Sequence, residues 1–246
     1  TEWYQENNIL ISLSTEIKKI ETEAHNVTLD NGIVKQYDKL ILANGARGFI
    51  PPIHNAAING VFVLRSREDA ENIKNYAMKS KKAVVIGGGV LGLEAAWELK
   101  KLVQHLEIIE AEKRILPRQL DNQGSILLEK ILQRENVIVR KNCFVKSIIG
   151  ETEVKGVQLN DGTIIDAELV IISAGIKPNI EITAGTEIKV NRGIIVDRKM
   201  KTNVEDVYAC GDVAEYEGVI LGLWAPAVDQ GKTAGINAAG GEAEYQ

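Results

Sequence analysis

Residues 83–110 constrain the fold of this chain more than any other segment, because a strand, a glycine turn, a helix and a second strand follow one another there. The first strand is rich in β-branched residues and runs directly into Gly87, Gly89 and Gly92. The second strand is apolar and ends at Glu110. Because this order is that of a parallel βαβ unit, the segment predicts an α/β fold with a parallel sheet.

The spacing of the three glycines indicates what the turn binds. The first, Gly87, permits a tight turn off the strand, the second lets a pyrophosphate approach the backbone, and the third, Gly92, lets the helix pack closely on the sheet. The pyrophosphate then lies on the amides at the positive end of the helix, where Val90 and Leu91 stand. We therefore interpret the segment as a dinucleotide-binding unit.

Glu110 indicates which dinucleotide is bound. An acid at the tip of the second strand accepts hydrogen bonds from the ribose hydroxyls and repels a 2′-phosphate, so it favours NAD over NADP. Lys113 and Arg114 lie just beyond it and offer an alternative, a site for that phosphate. The acid is the stronger indicator of the two. A glycine-rich turn in some other α/β protein is the remaining alternative for the whole segment.

Charge and hydropathy exclude several classes of partner. The chain has 246 residues, enough for one large domain or two small ones, and a net charge of −5. Its most basic cluster is the short run at residues 79–82, so we expect no nucleic-acid partner. We expect no membrane association and a cytoplasmic location, because no apolar run is long enough to span a membrane and the first residues do not resemble a signal peptide.

The cysteines and histidines predict no metal site. Cys143 and Cys210 are far apart in sequence; we predict that Cys143 lies in an apolar-alternating strand and that Cys210 lies in a buried run. The histidines, His25, His54 and His105, are isolated from one another. We therefore expect small core cysteines and assign neither a metal nor a proton to any histidine.

The chain contains two copies of one pattern, at residues 17–45 and 144–175. Each copy is an antiparallel meander with an Asp-Gly type of turn, followed by a buried strand and an alanine- and glycine-containing end. Such duplication indicates two similar nucleotide-binding domains, of which only the second has the glycine motif. Residues 48–55 are predicted to be an extended linker. We predict strands at residues 9–11, 17–20, 26–29, 33–36, 39–42, 137–139, 144–149, 154–159, 164–165, 169–173 and 207–209, and helices at about 67–78, 122–134 and from about 225.

Residues 202–212 form a second motif near the C-terminus, in which a short strand ends at Gly211 and Asp212. The glycine allows a close approach of a ligand to the backbone. The carboxylate is suited either to a sugar-alcohol hydroxyl or a phosphate site, or to an ordinary turn or helix cap.

Four segments follow one another along the chain: residues 43–45, the glycine turn with Glu110, residues 174–178 and residues 202–212. Their order resembles that of the pyridine nucleotide-disulfide oxidoreductase superfamily of FAD flavoproteins. The run ILPRQLD at 115–121 and the run WAPAVDQGKTAGINAAGG at 224–241 are most similar to the flavoprotein part of NADH-dependent nitrite reductases and to NADH:rubredoxin oxidoreductases.

The resemblance implies an α/β architecture in which a Rossmann-like three-layer NAD(H)-binding domain is inserted in a partial FAD-binding domain of the same type. Each domain is expected to carry a small antiparallel meander. The implied segments are 1–63 and 178–246 for FAD, and 64–177 for NAD(H). Members of the superfamily begin with a glycine motif of their own for the FAD pyrophosphate and end in an interface domain. We expect this chain to be a fragment that lacks both.

The resemblance also assigns roles to individual residues. Glu94 is implied to face the nicotinamide and is a candidate catalytic residue, although complementing the helix dipole is its simpler role. Trp224, just before a helix aimed at flavin N1 and O2, is implied to border the flavin, with core packing as the alternative. The implied FAD-binding residues are Asn44, in place of the threonine of the superfamily, Gly45, Arg47, Gly211, Asp212 and Trp224. The implied NAD-binding residues are Gly87, Gly89, Val90, Leu91, Gly92, Glu94, Glu110, Gly175, which gives the nicotinamide room, and Pro178, which shapes the crossover between domains.

The implied activity is that of an NAD(P)H-dependent FAD oxidoreductase, in which a hydride passes from NADH to FAD and electrons pass on to an acceptor. The acceptor is expected to be of the nitrite reductase or rubredoxin type, that is, rubredoxin, ferredoxin or a sirohaem or Fe–S domain. Two alternatives stay open: an NADH oxidase or peroxidase of the same superfamily, and a fragment that binds NAD without catalysis.

Overall fold

The computed structural model describes residues 2–246 and contains two compact units. The central unit is continuous in sequence and spans Gly48–Ile176. The terminal unit combines the residues up to Arg47 with Lys177–Gln246. One unit is thus inserted in the sequence of the other.

Both units combine short strands with helices. The strands are β1 (Ile17–Glu21), β2 (Asn26–Leu29), β3 (Val34–Gln36), β4 (Leu40–Leu42), β5 (Ala46–Gly48), β6 (Val61–Val63), β7 (Lys82–Ile86), β8 (His105–Ile109), β9 (Val137–Arg140), β10 (Val145–Ile149), β11 (Gly156–Leu159), β12 (Ile164–Asp166), β13 (Leu169–Ile172), β14 (Ile176–Pro178), β15 (Ile194–Val196), β16 (Val207–Ala209) and β17 (Ala214–Tyr216). The α-helices are α1 (Glu2–Glu6), α2 (Arg67–Ala77), α3 (Val90–Leu99), α4 (Asn122–Arg134) and α5 (Trp224–Ala238).

The central unit is built on a five-stranded sheet in the order β6-β13-β7-β8-β9. Every neighbouring pair in it is parallel. The inner strands are buried on both faces, which is why β7 and β13 read as nearly continuous runs of apolar residues in the sequence. In this order β7, which leads into the glycine turn, lies between β13 and β8.

Two apolar cores cover the two faces of this sheet. On one face, Val85 packs with Ala96 and Leu99 of α3 and with Leu132 of α4. On the other face, the alternate residue Val84 packs with residues of the antiparallel meander formed by β10, β11 and β12. Because successive side chains of a strand point to opposite faces, the helices and the meander lie on opposite sides of the sheet. The predicted three-layer α/β fold is confirmed.

Local capping fixes where two of these helices begin. The Ser66 hydroxyl accepts a hydrogen bond from the Asp69 amide (3.1 Å), and the Asp69 carboxylate accepts one from the Ser66 amide (2.7 Å). This reciprocal pair begins α2. Asp121 accepts from the Gly124 amide (2.8 Å) and begins α4. Both helices lie within a residue of their predicted bounds.

The two meanders have the same pairing pattern, which supports the internal duplication. In the terminal unit β1, β2 and β3 form a three-stranded antiparallel sheet, as β10, β11 and β12 do in the central unit. The pairing of β1 with β2 shifts register between Ile17 and Lys19, and the pairing of β10 with β11 shifts in the same way between Val145 and Ser147. In both meanders, the turn that leads to the third strand contains a glycine with positive φ, which is Gly32 in the first meander and Gly162 in the second.

In the rest of the terminal unit, α5 packs against a pair of parallel strands, β4 and β16. A second parallel pair, β15 and β17, lies in the same unit. The core of this unit contains Ile194, Met200, Val207, Val213 and, from α5, Ala234, all of which are fully buried.

Three local predictions were wrong. Residues 9–11 do not form a strand, because no described strand pairs with them and their side chains are exposed. The strand predicted at 39–42 exists as β4 but is only partly buried, with Ile41 exposed. Cys143 is not in a strand: it precedes β10 and is half-buried, whereas Cys210 is buried as predicted.

The units divide the chain at Arg47 and Gly48 instead of at the predicted 63 and 64. Residues 48–63 belong to the central unit because β6 joins its parallel sheet and because His54 exchanges backbone hydrogen bonds with the β10 strand, at Lys146 (3.0 Å) and Ile148 (2.9 Å). The second division, at 176 and 177, lies one residue before the predicted one.

Candidate nucleotide-binding site

A cavity of about 460 Å³ opens at the carboxyl ends of the central strands. In an open α/β sheet this edge is where ligands bind. Residues from the ends of β13, β7 and β8 contribute to its wall. The wall consists of Pro51, Ile53, Ile86, Gly87, Gly89, Ile109, Glu110, Ala111, Glu112, Pro117, Arg118, Gln119, Cys143, Phe144, Val145, Ser173, Ala174 and Gly175.

The three glycines of the turn are required for different reasons. Gly87 has φ +114°, and a Cβ there would lie 2.2 Å from the carbonyl oxygen of Ser173. A Cβ on Gly92 would lie 2.0 Å from the carbonyl oxygen of Gly87, so α3 rests directly on the turn. A Cβ on Gly89, in contrast, would have no atom within 4 Å. Two of the glycines therefore permit packing, and the third leaves open space on the cavity side.

The first turn of α3 faces this open space without a side-chain cap. Gly89 is the N-cap residue, and Val90 and Leu91, which follow it, are exposed. Uncapped amides at a helix N-terminus favour an anion such as a phosphate. The N-terminus of α3 thus lies next to the open space that Gly89 leaves.

Glu110 is held in a fixed orientation at the end of β8. Its side chain is 7% exposed. One carboxylate oxygen, Oε2, accepts a hydrogen bond from the Gly88 amide (2.6 Å), and the other, Oε1, accepts one from the Glu112 amide (2.7 Å). Because each carboxylate oxygen has a second acceptor position, the group retains capacity for ribose hydroxyls.

Gly88 is a site residue that the sequence reasoning missed. A Cβ there would lie 2.9 Å from Oε2 of Glu110 and 2.8 Å from the side chain of Ile115. The middle glycine therefore allows the acid to reach the turn. The run of three successive glycines is the signal that would have identified it.

The alternative phosphate-binding residues do not line the cavity. Arg114 donates to the carbonyl oxygen of Pro117 (2.8 Å) and to Asn122 (3.3 Å), and neither it nor Lys113 is part of the wall. Arg118 does line the cavity, although the sequence reasoning gave it no role.

The run at residues 115–121 forms the turn that carries Arg118. The amide of Leu116, which has φ +47°, donates to the carbonyl oxygen of Gly88 (2.9 Å). Pro117, Arg118 and Gln119 of this turn lie in the cavity wall. The turn is thus anchored directly on the glycine turn.

Of the remaining NAD candidates, only Gly175 reaches the cavity. It has φ +103°, a Cβ there would have no atom within 4 Å, and its carbonyl oxygen accepts from the Phe49 amide (2.9 Å). Glu94 is exposed and lines a separate apolar groove with Lys74 of α2. Pro178 is buried and belongs to the terminal unit. The structure does not bring these last two residues to the cavity wall.

In the terminal unit, Asn44 and Asn179 bind each other reciprocally. The side-chain amide of Asn44 donates to the carbonyl oxygen of Asn179 (2.6 Å), and that of Asn179 donates to the carbonyl oxygen of Asn44 (2.9 Å). The Asn179 amide also donates to the carbonyl oxygen of Gly45, which has φ +65°. The asparagine that replaces the threonine of the superfamily pattern therefore joins two segments of this unit.

Arg47 is engaged by an acid that the sequence reasoning did not identify. Its guanidinium donates to both carboxylate oxygens of Glu181 and to the side chain of Asn179 (2.9 Å). The hydrogen bond from Arg47 lowers the pKa of Glu181 to about 2. The pair is largely exposed, so its net contribution to stability is small.

The second motif forms a tight turn against α5. Gly211 has φ +74°, and its amide donates to the side chain of the buried Gln230 of α5 (2.8 Å). Asp212 follows in the same turn and is half-buried. Trp224 begins α5 and is 83% exposed, so core packing does not explain it. No side chain caps this helix either.

None of the helices that the structure describes is both long enough and apolar enough to cross a bilayer.

The family model for pyridine nucleotide-disulphide oxidoreductases matches residues 3–231. The chain belongs to this family. A nitrite reductase (NAD(P)H) of Bacillus subtilis is 38% identical over 94% of the chain and 29% of its own length. An NADH-rubredoxin oxidoreductase of Clostridium acetobutylicum is 35% identical over 99% of the chain and 60% of its own length. The predicted resemblance is therefore confirmed for the family and for both groups of relatives.

A solved structure extends the likeness to the fold. The covalent putidaredoxin reductase–putidaredoxin complex matches with a TM-score of 0.92 and 28% identity, over 100% of this chain and 62% of the matched chain. The chain therefore spans less than two thirds of each of these relatives.

Proposed function

We propose that this chain is the nucleotide-binding part of an NADH-dependent flavoprotein oxidoreductase, in which a hydride passes from NADH to FAD and electrons then pass to an acceptor. The observation that carries the proposal is the cavity at the carboxyl edge of the central sheet. There the open side of Gly89 lies next to a buried carboxylate, Glu110, at the tip of the neighbouring strand. This pairing suits a dinucleotide with a free 2′-hydroxyl.

Each group of the proposed NAD(H) site has a separate task. The amides at the start of α3, at Val90 and Leu91, bind the pyrophosphate, and Gly89 leaves room for it. Glu110 accepts from the ribose hydroxyls, and its charge disfavours NADPH. Gly175 leaves space for the nicotinamide at the end of β13. We retain Glu94 as a residue that faces the nicotinamide and Pro178 as a residue that shapes the crossover.

The residues of the terminal unit fit an FAD site. The left-handed backbone at Gly211 has only one atom, the Cβ of Ala227 at 3.7 Å, within 4 Å of the position of a Cβ, so a ligand has access to this turn. The uncapped start of α5 offers amides to a negatively charged group. We propose that FAD contacts Asn44, Gly45, Arg47, Gly211, Asp212 and Trp224.

The cofactors supply the chemistry, since a nicotinamide C4 donates a hydride and a flavin N5 accepts it when both are bound. The protein supplies orientation and electrostatics. In this assignment the central unit binds NAD(H) and the terminal unit binds FAD. Glu181 holds Arg47, and Gln230 holds the turn at Gly211, so each positions a proposed FAD contact.

For the acceptor, the names of the relatives support two types. We propose either a small redox protein such as rubredoxin or ferredoxin, or a sirohaem or Fe–S domain that reduces nitrite. We also propose a cytoplasmic location, since the two cysteines, Cys143 and Cys210, are free thiols, as is usual in a reducing compartment.

The test is a visible absorption spectrum of the 246-residue chain after incubation with FAD and removal of unbound cofactor, followed by anaerobic addition of NADH. We expect a protein-bound flavin spectrum that NADH bleaches. Asp212→Ala is expected to lower flavin retention, whereas the control Asp229→Ala, which removes an exposed carboxylate of α5, is expected to leave it unchanged.

A chain that binds NADH but stays colourless would contradict the flavoprotein proposal and favour the NAD-binding alternative without catalysis. Full flavin retention by Asp212→Ala would instead assign this aspartate to the turn alone.

A further inference from the structure

The strand order fixes which end of the cavity receives which part of a dinucleotide, provided that the proposed NAD(H) site is correct. Across the sheet, the carboxyl ends follow in the order β13, β7, β8, β9. The glycine turn follows β7, and Glu110 follows β8. If the pyrophosphate lies on the glycine turn and the adenosine ribose on Glu110, the adenosine half of the dinucleotide extends away from β13 and toward β9.

The base attached to that ribose therefore lies beyond Glu110, at the end of β9. Neighbouring strands are about 5 Å apart, so this end is one strand spacing away. Residues 141–144 form this part of the molecule. The segment is tied to the acid-bearing strand end, because the amide of Cys143 donates to the carbonyl oxygen of Glu110 (3.1 Å) and that of Asn142 donates to the carbonyl oxygen of Glu112 (3.1 Å).

Phe144 is the aromatic residue of the cavity wall. Its side chain is 58% exposed, so it is not a core residue of the central unit. Its backbone is fixed on both sides: the Phe144 amide donates to the side chain of Asn160 (3.0 Å), and the Asn160 amide donates to the carbonyl oxygen of Phe144 (2.9 Å). Hydrogen bonds of its backbone therefore hold Phe144 at the end of the cavity, while more than half of the residue is exposed to solvent.

We propose that Phe144 contacts the adenine of the bound dinucleotide through its ring. Stacking on an aromatic side chain suits a purine because both have flat, polarisable faces. A ring on an already ordered backbone loses little conformational freedom on binding. Phe144 thus adds affinity for the adenine half of the ligand, and Glu110 selects the ribose that carries it.

The test compares two halves of the dinucleotide, ADP-ribose and nicotinamide mononucleotide, by calorimetry on the 246-residue chain. Phe144→Ala is expected to weaken ADP-ribose binding by about tenfold and to leave mononucleotide binding unchanged. Phe144→Trp, which keeps a ring, is expected to bind ADP-ribose within about twofold of the original affinity. The matched control is Ile164→Ala, since Ile164 is 61% exposed on β12 and does not line the cavity.

A second readout reports the contact itself. In saturation-transfer NMR with ADP-ribose, the adenine H2 and H8 signals are expected to receive more saturation in the original chain than in Phe144→Ala. Unchanged ADP-ribose affinity in Phe144→Ala, together with a loss in Glu110→Ala, would overturn the role of Phe144 and leave the proposed NADH site standing. A chain that binds neither ADP-ribose nor NADH would overturn both.

Discussion

Replacement of Gly92 by alanine tests whether α3 rests on the glycine turn as the structure indicates. The new Cβ would lie 2.0 Å from the carbonyl oxygen of Gly87, so helix and turn would have to separate by about 1 Å to reach even 3.0 Å. Overpacking of this kind destabilises by about 1–3 kcal/mol. Alanine in a helix otherwise gains up to about 1 kcal/mol over glycine. With the full alanine gain subtracted, we expect a net loss of about 0–2 kcal/mol in the free energy of unfolding.

Two other glycines provide matched controls for thermal and urea denaturation followed by circular dichroism. Gly231 lies within α5 with no atom within 4 Å of a Cβ, so Gly231→Ala is expected to stabilise by up to about 1 kcal/mol. Gly89 also has open space but is the N-cap of α3, so Gly89→Ala is expected to fold with at most about 1 kcal/mol of lost stability and to lose NADH affinity. Equal stability of Gly92→Ala and Gly231→Ala would refute the steric argument, and normal NADH binding by Gly89→Ala would refute the assigned phosphate position.

Three further predictions concern other groups. Glu215→Ala is expected to lower the free energy of unfolding in urea by about 3 kcal/mol. This buried carboxylate accepts hydrogen bonds from two backbone amides and one side-chain amide, and all three donors would lose their partner. A loss below about 0.5 kcal/mol would contradict that interpretation. The pKa of Glu181 is lowered from 4.5 to about 2, so its pairing with Arg47 stabilises the fold above pH 4.5 and is lost as the pH falls toward about 2. In a carboxyl NMR titration, the midpoint of Glu181 is expected to be higher in Arg47→Ala than in the original chain. An unchanged midpoint would refute the pairing. Cys143 is expected to react with an aromatic disulfide reagent faster than Cys210, because burial raises the pKa of the Cys210 thiol. Since Cys143 lines the cavity, NADH is expected to slow the reaction of Cys143 only. Equal rates for the two cysteines would contradict the difference in burial.

The central unit was predictable from sequence because its signals are local. A turn with an aspartate and a glycine separates the apolar strands of each meander, and α4 has an aspartate cap directly before its apolar repeat. The glycine turn and Glu110 also follow one another along the chain at a fixed spacing. Signals of this kind can be read from the sequence without knowledge of contacts between distant residues.

The parts that the sequence did not predict depend on contacts between distant residues. The apolar run at 9–11 has the composition of a strand, but a strand needs a partner, and the described chain provides none. The place of β6 in the parallel sheet depends on β13, which follows it by about a hundred residues. Likewise, the engagement of Arg47 by Glu181 and the anchoring of Leu116 on Gly88 could not be read from local patterns.

The most direct test of the proposed NAD(H) site is a calorimetric comparison of NADH and NADPH binding to the 246-residue chain and to Glu110→Ala. We predict that the original chain prefers NADH by at least about tenfold, because a 2′-phosphate would lie against a buried carboxylate. We predict that Glu110→Ala binds NADH more weakly and loses the preference. Equal affinity for both dinucleotides in the original chain, or an unchanged preference in Glu110→Ala, would contradict the assignment of this cavity.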